Sequence, residues 1–267
     1  MKKFLKILKI CLLILLAAGT VFVVGYADRV HYNQICTAVN ISIHYGAADP
    51  LVTKNDIDSI ITRNGGSLKG KPMGYINTGR IERAITKQPC VARASVYEYN
   101  DGNIFVEVNQ RKPVLRIINR NYESFYLDEE GALLPTNLGY AARVLVATGA
   151  IDASYRKNPG YQVNILALPD SIYYDSLMTN LYRLAMFITH DPFFKLQIDQ
   201  VYVTEKQEFE LIPRIGDHVI LLGKATDLEE KFRKLQAFYR SGLNQIGWNK
   251  YNTINIKFRN QVVCSKI

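Results

Sequence analysis

Between Thr78 and Pro113 the apolar residues switch period once and hold the new period through two further segments, an order that few folds accommodate. Ile81, Ala84 and Ile85 recur three and four apart, which is helical spacing, and Thr78 is placed to cap that helix. Pro89 disfavours helical geometry at Gln88, so the helix stops there. Ala92, Ala94 and Val96 then alternate with Arg93, Ser95 and Tyr97, the period of a strand with one buried face. Asn100-Asp101-Gly102-Asn103 is a turn in which Asp-Gly reaches positive φ at low cost. Ile104, Val106 and Val108 alternate with Phe105, Glu107 and Asn109 in a second strand, and Gln110-Arg111-Lys112-Pro113 closes the segment.

The residues upstream complete a domain. Val39, Ile41 and Ile43 alternate with Asn40, Ser42 and His44, which predicts a strand over 37–45. Thr53-Lys54-Asn55-Asp56 is a capping box with Asp in the usual Glu or Gln position, and it opens a helix with Ile57, Ile60 and Ile61 on one side. Gly65-Gly66 ends that helix, and Gly70-Lys71-Pro72 with Gly74 marks a loop. The order over 37–113 is therefore strand, helix, helix, strand, strand. Two helices covering one face of a small three-stranded sheet make an α+β domain.

The amino terminus has a different character. Ile10 to Tyr26 is a 17-residue run without charge, preceded by Lys2, Lys3, Lys6 and Lys9. At about 1.5 Å per residue it reaches roughly 25 Å, slightly short of a bilayer core. Snorkelling of Lys6 and Lys9 lets Phe4, Leu5, Ile7 and Leu8 extend it. A cleaved signal peptide would carry a shorter apolar region, and Gly25-Tyr26-Ala27 is only a passable cleavage site. The reading is an uncleaved transmembrane helix over 10–27, after a cytoplasmic tail of residues 1–9 and before a polar linker over 28–36. The flanking lysines place Met1 inside and everything after Asp28 outside the cytoplasm.

Residues 114–267 read as mainly antiparallel β with two helices. Strands are predicted at 114–118, 124–127, 143–148, 198–203, 208–212 and 219–222. One helix spans 171–188, with Leu177, Leu181, Leu184 and Ile188 at helical spacing, and another spans 227–240, with Leu228, Phe232, Leu235 and Tyr239 on one face. Ile254, Ile256 and Phe258 alternate with Asn255, Lys257 and Arg259 in a closing strand, and all three apolar residues are expected in the core.

Charge and reactive residues exclude several functions. Four of the nine net positive charges sit in Lys2, Lys3, Lys6 and Lys9, and the remaining five are scattered over roughly 240 residues, with no basic face for nucleic acid. Cys11 lies in the apolar run; Cys36, Cys90 and Cys264 are far apart, so no disulfide framework is implied, and an oxidising compartment permits one bridge that the sequence does not choose. His31, His44, His190 and His218 have no ligand spacing, so no metal or other cofactor is expected. Gly216 to Lys224 differs from a phosphate loop in its six-residue glycine spacing and in Ala225 where Ser or Thr belongs. There is no Gly-x-Ser-x-Gly elbow, and Asp128 and Glu130 sit in a turn, whereas a glycosidase needs two carboxylates across a cleft, an arrangement no sequence displays.

Several segments, in order, resemble the FtsQ/DivIB family of bacterial cell-division proteins. Ile81-Glu82, Pro89-Cys90-Val91 and Ala94-Ser95-Val96 look like the second half of its POTRA domain, closed by Val106-Glu107-Val108 and Gln110-Arg111-Lys112-Pro113. Leu127-Asp128-Glu129-Glu130-Gly131 with Leu134-Pro135 is similar to the start of its β domain. Gly216-Asp217-His218-Val219-Ile220-Leu221-Leu222-Gly223 with Leu228-Glu229-Glu230-Lys231, and Ile254-Asn255-Ile256-Lys257-Phe258, resemble its late strands and helix. The resemblance implies a single-pass protein of the bacterial plasma (inner) membrane, with a POTRA domain over 37–113 and a β domain over 114–267. It also implies a non-enzymatic divisome scaffold at the septum, with FtsB- and FtsL-type partners, that helps recruit and regulate septal peptidoglycan synthesis. The family's docking edge, carried onto this chain, falls on 251–263, with Thr253, Asn255, Lys257 and Arg259 on the strand and Tyr239, Trp248 and Tyr251 as aromatic anchors. Arg80, Arg83 and Lys87 are a second candidate partner surface, and their plainer reading is the solvated face of the second helix. The alternatives are a POTRA adaptor for outer-membrane assembly or secretion, a class that usually carries repeated modules and a barrel, and an anchored cell-wall enzyme, which would need a catalytic constellation.

Overall fold

The apolar amino terminus forms one long helix, α1 (Lys2–Asn33), and its Leu12–Asn33 portion is long and apolar enough to cross a membrane, with a mean hydropathy of 1.7. Leu12 to Leu16 and Val21 to Val24 are all exposed among the described residues, so an apolar surface encircles this part of the helix. The computed structural model describes residues 2–46, 49–136, 141–156, 164–166, 176–243, 245 and 247–266. The helix does not stop at residue 27. It continues through the expected linker to Asn33, because its last turn finds partners: the Tyr32 ring lies 5.7 Å from that of Tyr75, and His31 Nε2 is 3.2 Å from the Glu98 carboxylate.

Two compact units follow from the packing, Met1–His44 with Val52–Asn109, and Tyr45–Leu51 with Gln110–Ile267. In the first, β1 (Ala38–His44), β2 (Val91–Glu98) and β3 (Asn103–Gln110) form a sheet of order β1-β3-β2, with β1 and β3 parallel. The β2–β3 turn closes where expected, and Gly102 (φ 83°) is needed there: a Cβ would also come within 2.8 Å of the Ile35 carbonyl oxygen. Helix α2 (Lys54–Gly65) opens on a complete capping box, Thr53 accepting from the Asp56 N–H and Asp56 from the Thr53 N–H. Helix α3 (Thr78–Thr86) is capped one residue earlier than predicted, by Asn77, whose Oδ1 accepts from the Arg80 N–H at 2.8 Å. Ile57, Ile60, Ile61, Ile81 and Ile85 are buried together with Ile104, Val106 and Val108 of β3, which is the α+β layering predicted.

The second unit is built on a sheet that runs, among the described residues, β12-β11-β10-β9-β8-β7-β4-β5-β6. Its strands are β4 (Pro113–Ile118), β5 (Ser124–Asp128), β6 (Leu133–Pro135), β7 (Leu145–Gly149), β8 (Ile198–Val203), β9 (Phe209–Pro213), β10 (Val219–Gly223), β11 (Tyr251–Asn255) and β12 (Val263–Lys266). The pairs β4–β7, β7–β8 and β10–β11 are parallel and the other five are antiparallel. Helix α4 (Ser176–His190) buries Leu177, Leu181, Leu184 and Ile188 along one stripe; its predicted first residues, 171–175, lie outside the described residues. The short α5 (Phe194–Gln197) and α6 (Leu228–Phe238) complete the helical layer, where the Phe232 ring is 4.7 Å from both Phe187 and Phe194. Beyond α6 a π-helical turn, Tyr239–Leu243, carries Tyr239 and Leu243 into the core. Arg111, 9% exposed, is paired with the buried Asp128 at 2.8 Å and with Glu130 at 3.0 Å, joining the residues before β4 to the β5–β6 turn.

Candidate docking edge

The segment expected to offer an open edge is one strand too far inside. β11 is paired on both sides: Asn255 faces Leu221 of β10 and Val263 of β12, and Thr253 faces Val219 and Ser265. Their backbone polar groups therefore serve the sheet itself. Lys257 lies past the end of β11 and donates its N–H to the Asn255 side chain at 3.0 Å. A proline at Asn255 or Lys257 would consequently test folding rather than docking. The open edge is β12, a four-residue strand in which Val263, Ser265 and Lys266 are exposed and only Cys264 turns partly toward the core.

The expected anchors separate according to burial. Tyr239 is 1% exposed and packs inside, so no partner reaches it. Its hydroxyl is 3.0 Å from His218 Nε2, and burial pushes the phenol far up and the imidazole down from their ordinary values. Burial thus favours the neutral form of each group. Trp248 packs at a tilt beside this pair, 5.2 Å from the Tyr239 ring and 6.5 Å from that of His218, and stays half-buried. Tyr251 is also half-buried, beside Phe238 at 6.2 Å, where a register shift between Tyr251 and Thr253 interrupts the alternation of β11. Trp248 and Tyr251 thus sit with one face on the core and one available, near the strand next to the edge.

Two further expectations change. Ile254 and Ile256 are fully buried as predicted, but Phe258 is 47% exposed, because the strand ends at Asn255 and the chain turns before β12. Lys234 of α6 holds that turn by donating to the Phe258 carbonyl. Lys257 pairs with Glu208 of the loop before β9, and this hydrogen bond lowers the Glu208 carboxyl below its usual range. Arg259 is exposed, with no ion pair among the described residues. Cys36 and Cys264 are free thiols.

In the first unit, Arg80, Arg83 and Lys87 are exposed on α3, and they line a cleft of about 370 Å³ with Ile60, Arg63 and Asn64 of α2. Sequence reading missed Arg63 because it lies on the other helix, and only the packing of α2 on α3 brings it across. In the second unit a cleft of about 620 Å³ lies under α4 and α5. Its charges are largely satisfied internally, with Arg214 bound to Asp199 at 2.6 Å and Lys112 to Glu129 at 3.0 Å.

Comparison with known families agrees with this architecture. The FtsQ/DivIB, C-terminal related family matches residues 112–265, more than half of the chain. The chain belongs to the FtsQ/DivIB family. A POTRA-like domain matches residues 34–109, the three-stranded sheet with its two helices. No curated protein matches the chain. A cell-division scaffold is the role that these two domains carry in general, in a family whose members are generally non-enzymatic, and the apolar helix ahead of them suits a membrane-anchored member.

Proposed function

We propose that this FtsQ/DivIB protein is a non-enzymatic scaffold of the bacterial divisome that docks FtsB- and FtsL-type partners and helps recruit and regulate the septal peptidoglycan synthase complex. The reading places the amino terminus in the cytoplasm and both folded units outside it, on one pass through the plasma (inner) membrane at the septum. The observation that carries it is the outer side of β12, which is unpaired among the described residues. A strand at a sheet edge presents a row of unpaired N–H and C=O groups, and an added strand gains backbone hydrogen bonds for affinity. Exposed Val263 and the half-buried rings of Trp248 and Tyr251 supply apolar contact near that edge. Lys266 and Arg259 bring positive charge, which favours an acidic segment on the partner.

Site-specific photo-crosslinking in dividing cells tests the reading. A photoreactive residue at Ser265 is expected to capture an FtsB-type chain and one at Asn255 to capture none, with a tagged copy fluorescing at the septum and depletion causing filamentation. Capture at Asn255 in place of Ser265 would refute the edge, and normal division after depletion would refute the scaffold.

A further inference from the structure

The cleft between α2 and α3 holds four cations and no anion. Arg63, Arg80, Arg83 and Lys87 are all exposed, and none forms an ion pair among the described residues. The neighbouring carboxylates are engaged elsewhere: Asp56 in the capping box of α2, and Glu82 in accepting the Val96 N–H of β2 at 3.0 Å. Asp58 lies on the far side of α2 by helical phase. From Arg80 to Lys87 the rise along α3 is about 10 Å, so the charges form a strip rather than a point.

The location of this strip identifies its counter-charge. Lys71 donates to the Gly65 carbonyl at the end of α2 at 2.7 Å, and the Lys71 carbonyl accepts from the Cys36 N–H, three residues beyond α1, at 2.8 Å. Tyr75, two residues before the cap of α3, packs on Tyr32 in the last turn of α1. The Arg63 and Arg80 end of the cleft is thereby held within a few residues of the apolar helix. Ile35 (55% exposed), Tyr75 (73%) and Tyr99 (51%) stand out at the same end, Tyr99 beside a turn whose Asn100 carbonyl accepts from Gln34 at 2.8 Å. Exposed aromatic rings beside a spanning helix belong at the headgroup level of a bilayer.

We infer that the α2–α3 cleft binds the phosphate headgroups of anionic phospholipid in the membrane that α1 enters, seating the POTRA-like domain on the bilayer surface. Each arginine or lysine near an anionic surface adds to the attraction, and salt screens it. An acidic segment of a partner protein has the right charge but leaves the exposed rings at the membrane end unexplained.

The test uses the full chain in nanodiscs of phosphatidylcholine with phosphatidylglycerol, carrying a trace of phosphatidylglycerol with a photoreactive headgroup. Co-migration of the chain with the discs reports insertion of α1 separately, so a failed anchor is not mistaken for a failed cleft. Peptides covering residues 60–88 are expected to carry the label, about tenfold less in an Arg63→Glu/Arg83→Glu variant and less again in high salt. An unchanged urea midpoint shows that this variant is folded. Labelling that survives the charge reversal would overturn the inference, as would labelling removed by millimolar inorganic phosphate, which would assign the cleft to free phosphate. Absent labelling, together with loss of co-purifying membrane proteins from the variant, would assign it to an acidic protein instead.

Discussion

The two ends of the nine-stranded sheet are finished in opposite ways. At one end β6 has three residues, terminates in Pro135, and buries Leu133 and Leu134 completely, with an isolated bridge between Ala132 and Asn164 alongside it. At the other end β12 exposes most of its side chains and, among the described residues, has nothing paired to its outer side. Short strands, proline and covering loops are the usual means of blunting an edge, so β6 is closed and β12 is left free to pair. A free edge on a folded domain is a hazard unless it is used, and this difference between the ends is what the proposal of docking at β12 rests on.

Stability measurements should break the comparison most sharply. Leu134→Ala, at the closed end, is expected to cost roughly 2–5 kcal/mol in urea unfolding of the detergent-solubilised chain, because it opens a cavity in buried packing. Val263→Glu, at the open end, should shift stability by no more than about 0.5 kcal/mol while greatly reducing recovery of an FtsB-type partner in a pull-down. Equal stability losses at the two positions would remove the distinction.

His218 gives a pH handle on the support beneath the open end. Its folded-state value lies below the unfolded value of about 6.5, so the unfolded chain binds the proton first. Stability is full above that pH and falls as the pH drops below it. Thermal unfolding from pH 7.5 to pH 5 should show the decline, and His218→Phe should flatten that part of it. The smallest effect belongs to Lys257. Its ion pair with Glu208 is about one-third exposed on each side, so Lys257→Ala should cost under about 1 kcal/mol, and less in high salt.

What the sequence made legible follows from how local each signal is. The period change between Thr78 and Pro113 depends on neighbours in the chain, so α3, β2 and β3 could be placed from it, with the cap displaced by one residue to Asn77 because an Asn side chain accepted the Arg80 N–H first. The stripes of α4 and α6 were equally readable. Three elements gave no usable signal: Leu133–Pro135, Phe194–Gln197 and Val263–Lys266 are too short for a period to be counted. Missing β12 is what moved the expected edge inward to Asn255, since edge status depends on strand order and not on any one strand. The same limit applied to Tyr239, whose helical phase marked it as apolar-facing but not as sealed under Trp248, and to Arg63, which joins Arg80 and Arg83 only through helix packing.

The unbroken run of α1 into its contacts with the first unit has a mechanical consequence. Because Tyr32 is packed on Tyr75 and His31 is bonded to Glu98, no slack segment separates the apolar helix from the POTRA-like domain. A rope transmits only tension, whereas a stiff mast clamped at its top also transmits torque. In the proposed topology, rotation of α1 by a neighbouring helix within the lipid would turn the POTRA-like domain with it, so a side-to-side contact in the membrane would become a change of heading outside it.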